Sequence, residues 1–182
     1  MASKRKPQSI HQIKITLKNI RPPIWRQLQV DSNTTLRRLH NIIQAARGWE
    51  NYHLYTFTVN DAEYGVPDPD WDVESDARLR LKQFPEGAKF TYTYDMGDGW
   101  EHEIKIEQIL PPEEGAQYPR CLKGKRACPP EDCGGVWGYQ NLLEALANPK
   151  HPEHDMYEEW IGDDFDPDYF NLDEVNEMLK HL

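Results

Sequence analysis

The chain has 182 residues, a charged fraction of 29% and a formal net charge of −10. That length predicts one domain whose core needs no disulfide staples. No run of about 18 apolar residues is present, so the sequence predicts no membrane-spanning helix.

The N-terminus is basic but has no apolar stretch, which excludes a secretory signal. Three cysteines, an odd number, argue against a secreted disulfide framework and for a reducing cytoplasm. Charge is unevenly spread. Residues 1–49 carry ten lysines and arginines against one acid, Asp31, while residues 150–182 carry eleven acids against Lys150 and Lys180. Two readings follow: the ends neutralise each other within one fold, or the basic end meets an anionic partner.

In chain order, residues 1–9 read as a flexible basic arm and residues 10–182 as a single domain. Ile13, Ile15 and Leu17 alternate with polar residues, which predicts a strand near 10–19. Arg21-Pro22-Pro23 interrupts it, since proline cannot donate to a ladder. A second alternating run, 24–30, places Arg26 on its apolar side. Asp31 to Thr34 are cap and turn residues. Leu36, Leu39, Ile43 and Ala46 then recur at helical spacing, predicting a helix over 35–47 stopped by Gly48. A strand over 53–59 follows. Residues 60–80 read as loop, with Leu79 and Leu81 in a short strand.

The strongest local pattern is 89–109. Phe90, Tyr92 and Tyr94 share one face of a strand; Trp100, His102, Ile104 and Ile106 share one face of the next. Met96-Gly97-Asp98-Gly99 supplies a tight turn. The aromatic rings on this hairpin are expected in the core. Residues 111–137 read as an irregular segment, long enough to suggest function. A helix is expected from Gly138 onward, and another opens at His151-Pro152. Residues 163–170 form an acidic turn, and Asn171 with Glu174 predicts a capped final helix.

Cys121, Cys128 and Cys133 sit in one glycine- and proline-bearing stretch, with His151 as a possible fourth ligand, so zinc is the one ion their chemistry suggests. The spacing lacks the paired Cys-x2-Cys of zinc fingers, and buried free thiols are the simpler reading. No cofactor is predicted otherwise. The acidic runs Asp68-Asp70-Asp72 and Asp164-Asp166-Asp168 lack the glycine and glutamate of a calcium loop and read as solvated turns. No nucleophile elbow, phosphate loop or dinucleotide fingerprint is present. Lys14, Lys18, Arg21, Arg26, Arg37, Arg38 and Arg47, with aromatics on neighbouring strands, fit single-strand binding by stacking and phosphate contact.

Several blocks taken together resemble one family. They are Arg21-Pro-Pro-Ile-Trp-Arg26, Gly48-Trp49-Glu-Asn-Tyr-His53, Tyr92-Thr-Tyr-Asp-Met-Gly-Asp-Gly-Trp-Glu-His102, Cys128-Pro-Pro-Glu-Asp-Cys-Gly-Gly135 with Gly138-Tyr139, and Gly162-Asp-Asp-Phe-Asp-Pro167. The resemblance is to the plasmid pRi open-reading-frame-three-like family, met also as a passenger of mobile elements, and spans about residues 10–179. It implies an α+β, roll-like fold in a small cytoplasmic protein. It brings no activity with it, and its mobile-element context favours nucleic-acid contact only by association.

These observations predict an α+β domain: a mainly antiparallel sheet, a helix packed on it and a C-terminal helical section. The expected role is a binding or accessory module with nucleic acid or another protein as partner. The alternative is a metal- or cysteine-dependent enzyme centred on 121–135. The candidate binding residues are Arg21, Trp25, Arg26, Arg37, Arg38, Asp95, Asp98, Trp100, His102, Glu131 and Asp132. The Asp95–His102 turn, Arg21–Arg26 and the Cys128–Gly135 loop are expected to converge.

Overall fold

A computed structural model describes residues 7–162 and 164–182. Residues 1–6 of the expected basic arm, and Asp163 of the acidic turn, lie outside the described residues. The chain order is β1 (Ile10–Leu17), β2 (Trp25–Asp31), α1 (Leu36–Arg47), β3 (Tyr55–Val59), β4 (Ala62–Gly65), β5 (Glu74–Ser75), β6 (Lys89–Tyr94), β7 (Trp100–Leu110), β8 (Arg120–Lys125), α2 (Gly135–Ala147), α3 (His154–Ile161) and α4 (Leu172–Lys180). All eight strands form one sheet in the order β5-β4-β3-β6-β7-β1-β2-β8. Only β4 and β5 pair in parallel. The fold is α+β with a mainly antiparallel sheet, as the patterning predicts. Among the described residues no helix is long and apolar enough to cross a membrane.

One sheet face is dry. Ile13, Ile15 and Leu17 of β1, Leu28 and Val30 of β2, Phe90, Tyr92 and Tyr94 of β6, and Trp100, Ile104 and Ile106 of β7 are all buried. They meet Leu36, Leu39, Ile42, Ile43 and Ala46 of α1 in a single core. The opposite face carries Gln12, Lys14, Trp25, Gln27, Thr91, Glu101, Glu103 and Lys105, all partly or fully exposed. This inside–outside alternation is the period-2 pattern read from the sequence. Tyr92, Tyr94 and Trp100 are at most 1% exposed.

α1 ends on the expected Gly48, while its N-cap is Thr35, one residue past the expected 31–34 run. Thr35 Oγ1 accepts from the Arg38 N–H, and Gly48 sits at φ 78° with its N–H on the Gln44 and Ala45 carbonyls. A positive φ there is costly for any side chain with a Cβ, which is why glycine ends the helix. Asn171 caps α4 by accepting from the N–H groups of Asp173 and Glu174.

Six elements differ from expectation. Residues 62–65 and 74–75 are two short strands, β4 and the edge strand β5. Leu79 and Leu81 form no strand; Leu81–Gln83 is a single 3-10 turn. The irregular segment contains β8, which pairs with β2. Finally, α2 starts at Gly135 rather than Gly138, and Pro152 lies in the turn before α3. His151 Nδ1 accepts from the Glu153 N–H and holds that turn. The missed strands are short or glycine-bearing, so neither alternation nor length marks them.

β8 is an outer strand, yet its edge is covered. Asn176 of α4 accepts from the Cys121 N–H and donates to the Cys121 carbonyl. At Gly124 of the same strand, a Cβ would lie 2.5 Å from the Phe170 ring. The absent side chain is what lets Phe170 pack over Arg26.

The core also holds a closed polar ring. His40 Nδ1 is 2.8 Å from the Tyr92 hydroxyl and its Nε2 is 2.7 Å from Asn51 Oδ1. Gln44 donates to the same hydroxyl and accepts from the Asn51 N–H. Because Asn51 Oδ1 can only accept, the proton sits on Nε2 and the tyrosine donates to Nδ1. His40 also stacks on Tyr55 at 3.5 Å. Burial pushes its pKa down to about 4, and burial lowers that of His102 as well.

Both imidazoles therefore stay neutral in the fold, while the unfolded chain takes up protons near pH 6.5. Stability is expected to be flat above about pH 7 and to fall as pH drops from 6.5 towards 4, with His40 alone contributing up to about 3 kcal/mol of loss. Denaturant unfolding at pH 7.5 and 4.5, compared with His40→Asn, checks this: the variant loses less between the two pH values.

Candidate functional site

Where β6 turns into β7, three segments distant in sequence meet. The first is the turn itself. Asp95 adopts φ 58°, and its Oδ1 accepts from the N–H groups of Gly97 and Asp98. That local ring leaves its second carboxylate oxygen free to face His53. The second segment leads from α1 into β3. Trp49 is buried, stacks on Tyr94 at 5.0 Å and donates from its indole to the Pro129 carbonyl. The third is the 128–135 loop, whose Glu131 accepts from the Tyr94 hydroxyl and from the Glu50 N–H.

The Tyr94 hydroxyl also accepts from the N–H groups of Tyr52 and His53. It is thus the knot joining all three segments. Burial and the Glu131 carboxylate beside it push its pKa well up, so it remains a neutral donor to Glu131.

These constraints put His53, Asp95 and Asp132 side by side. His53 Nε2 lies 2.9 Å from Asp132 Oδ1 and 3.6 Å from Asp95 Oδ2. The nitrogen is closed off from solvent and makes no hydrogen bond of acceptable direction. The 2.9 Å separation is within ion-pair range, and the pair carries opposite charge only when the imidazole is protonated. All three ligand atoms lie within 4.8 Å of one another. An octahedral ion with bonds of about 2.1 Å has ligand–ligand edges of about 3.0 Å, and a tetrahedral one with bonds of about 2.0 Å has edges of about 3.3 Å. The two measured separations bracket those values. Asp132 adopts φ 60°, so two of the three residues are held in the left-handed region. Aspartate tolerates that conformation, and such positions gather at binding sites.

Two hollows flank the cluster. His53 lines one of about 140 Å³ together with Val66 and Trp71. Asp132 lines a larger cleft of about 460 Å³ with Arg47, Trp49, Cys128 and Trp160.

The predicted site residues divide into those gathered here and those placed elsewhere. Asp95, Asp98, Glu131 and Asp132 are brought together here, with Asp98 Oδ2 accepting from the Gly134 N–H. Trp100 and His102 do not line a rim: both are core residues, at 1% and 0% exposure, because the alternation that points Tyr92 and Tyr94 inward carries them with it. Arg26 touches the far end of the loop through Cys128 at 3.6 Å, but it is buried. Arg21 is exposed. Arg37 is held by Asp76 at 2.8 Å. Arg38 is exposed at the start of α1, and Trp25 lies on the outer sheet face under Lys14, whose ammonium is 4.6 Å from the ring centre.

The cysteine–histidine zinc set is not assembled. Cys121 lies in β8 with its thiol on the Lys123 carbonyl, Cys128 faces two arginines, and His151 belongs to the turn before α3. Among the described residues, the groups gathered within ligand distance are His53–Asp95–Asp132 and His154–Asp155–Glu158, and neither contains a cysteine. The second group lies on one solvent-facing side of α3. Sequence reasoning did not single out His53, although it closes the Gly48–His53 block. The available signal was its place just before a strand and after Asn51, a turn residue at φ 60°.

The acidic runs are turns, as expected. Asp68 Oδ1 accepts from the Asp70 N–H, Asp166 Oδ1 from the Asp168 N–H, and Asp168 pairs with Arg126 at 2.8 Å.

A small α+β module with a histidine–carboxylate cluster at one end of its sheet is the class these features define. The chain belongs to the plasmid pRiA4b ORF-3-like family, whose sequence profile matches residues 9–174. It is 42% identical over 180 residues to the uncharacterized protein y4hQ of Sinorhizobium fredii (strain NBRC 101917 / NGR234), covering 96% of this chain and 92% of the relative. It also resembles the crystal structure of a protein of unknown function from Methanosarcina mazei Go1. There the TM-score is 0.87 at 40% identity, covering 93% of this chain and 99% of the other.

The site depends on how closely α2 approaches the hairpin turn. Gly135 has φ 68°, and a Cβ there would lie 2.4 Å from the Asp98 carbonyl oxygen. Gly135→Ala is expected to destabilise the protein by at least about 2 kcal/mol through combined clash and backbone strain. A shift of the denaturant midpoint checks it, and an unchanged midpoint refutes the close approach.

Proposed function

We propose that the protein is a binding module whose working centre is a divalent transition-metal ion held by His53, Asp95 and Asp132. The observation that carries this reading is an imidazole nitrogen closed off from solvent and facing two carboxylates at ligand–ligand separations of 2.9 and 3.6 Å. One nitrogen and two oxygen donors suit zinc or manganese, and three protein ligands leave positions open for water or a ligand from the flanking hollows. A cation would also relieve the repulsion between two carboxylates converging on one point. The test is calorimetric titration of the metal-free protein with Zn²⁺ and Mn²⁺. One ion per chain is expected, with His53→Ala and Asp132→Asn each weakening binding at least tenfold, about 1.4 kcal/mol. Wild-type-like binding in both variants, or no binding at all, rejects the site.

A second reading keeps nucleic acid as partner but moves the contact. The arginines expected to meet phosphate are largely engaged: Arg26 and Arg47 are buried, and Arg37 is paired. The specific observation favouring a sheet-face contact is Trp25 with the Lys14 ammonium over its ring. Lys125 stands opposite Trp25, and Lys123 opposite Gln27, across the β2–β8 ladder. A ring and several cations on one open face form a platform for single strands, stacking one base and contacting phosphates.

Fluorescence anisotropy with a labelled single-stranded oligonucleotide tests this. Binding is expected to weaken steeply with salt and to fall in Trp25→Ala and in Lys123→Glu/Lys125→Glu. Binding insensitive to salt or to these changes refutes it. A partner protein as the occupant would show instead as a co-purifying chain.

A further inference from the structure

Arg26 and Arg47 are 4% and 6% exposed. Among the described residues, neither guanidinium has a carboxylate within ion-pair distance. Two buried positive charges without an anionic partner are unfavourable. Arg26 offsets part of this by donating to the carbonyls of Trp25, Ala46 and Lys125. Arg47 donates to the Ile15 carbonyl, and its Nε has no partner at all. The acceptor common to both is a sulfur atom. Cys128 Sγ lies 3.6 Å from Arg26 Nη2 and 3.5 Å from Arg47 Nη1.

Cys128 is half-buried and lines the 460 Å³ cleft together with Arg47. The other two cysteines differ in both respects. Cys121 and Cys133 are buried, and that burial pushes their thiols up to about 11 and about 12. Both are poor nucleophiles at neutral pH, since the ionised sulfur is the attacking form. The cleft also bears Glu50, Glu131 and Asp132, which disfavours anionic reagents and leaves small neutral ones free to enter.

We propose that Cys128 is a modification site that reacts with hydroperoxides. Its sulfur attacks one peroxide oxygen: an S–O bond forms and the O–O bond breaks. Sulfur is oxidised by two electrons to the sulfenic acid. The departing oxygen is reduced and leaves as water or alcohol, taking up the thiol proton. The two guanidiniums stabilise the negative charge that the sulfur carries as it attacks, and Arg47 Nη1, 3.5 Å from the sulfur, is the donor placed to meet the leaving oxygen. No second cysteine is needed for this step, and the metal-ion reading is independent of it.

The test treats the full-length reduced protein with hydrogen peroxide in the presence of a sulfenic-acid trap and locates the adduct by peptide mass spectrometry. In parallel, iodoacetamide labelling rates are measured for each cysteine. Cys128 is expected to react at least about tenfold faster than Cys121 or Cys133 in the folded protein, with the difference lost in denaturant. Arg47→Gln is expected to slow peroxide trapping more than iodoacetamide labelling, because only the peroxide needs a donor for its leaving oxygen. Equal rates for the three cysteines in the folded wild type overturn the proposal even if the variant does not fold. Fast alkylation without any sulfenic adduct overturns the hydroperoxide assignment.

Discussion

Tyr92 and Tyr94 carry their hydroxyl groups into a core with almost no water, and each hydroxyl must find partners there. A buried hydroxyl left unpaired costs about 1–3 kcal/mol, so the requirement is a strong one. Tyr92 satisfies it with His40 and Gln44, which draws the middle of α1 onto β6. Tyr94 satisfies it with two backbone N–H groups of the 52–53 segment and with Glu131. Each bond ties a different part of the chain to the same hairpin. The convergence of His53, Asp95 and Asp132 is a by-product of these ties, since the bonded segments deliver those residues to one end of the sheet.

Charge is managed locally rather than between the chain's ends. Among the described residues no ion pair joins the basic N-terminal third to the acidic C-terminal section. Lys18 pairs with Glu101 and Arg37 with Asp76, both acids from the middle of the chain. The exposed Lys18–Glu101 pair contributes little, at most about 1 kcal/mol, whereas Asp76 is fully buried and its carboxylate also accepts from the Tyr55 hydroxyl. The buried Arg26 and Arg47 are a different matter, because their positions on otherwise apolar faces demand acceptors the core must supply. Carbonyl oxygens of β1, β2, β8 and α1, with one cysteine sulfur, do so.

Much of this architecture is legible in the sequence, and the reasons differ by element. The hairpin 89–109 is readable because its alternation is long and its turn residues are unambiguous. α1 is readable because its glycine stop and its apolar stripe agree. The outlying strands β4, β5 and β8 are not, since four-, two- and six-residue runs beside glycines carry too little periodicity. At the site, Asp95, Asp98, Glu131 and Asp132 can be named in advance because polar residues in glycine-bearing loops rarely enter a core. His102 cannot be separated from them by residue type alone; only its register on β7, shared with Trp100 and Ile104, reveals that it points inward. His53 is hidden for the opposite reason. The alternating pattern absorbs it into a strand that in fact begins at Tyr55, and a histidine outside the ladder looks like one more strand residue.

An outer strand is an invitation: its free main-chain groups will accept a strand from any neighbouring molecule. At Cys121 that invitation is withdrawn by the amide of Asn176, which offers one donor and one acceptor and so imitates a peptide group of a ninth strand. At the opposite margin, β5 is only two residues long and gives an incoming strand almost nothing to zip against. The ladder is therefore sealed at one border and blunted at the other, which biases the folded molecule against growing into fibrils through its own sheet.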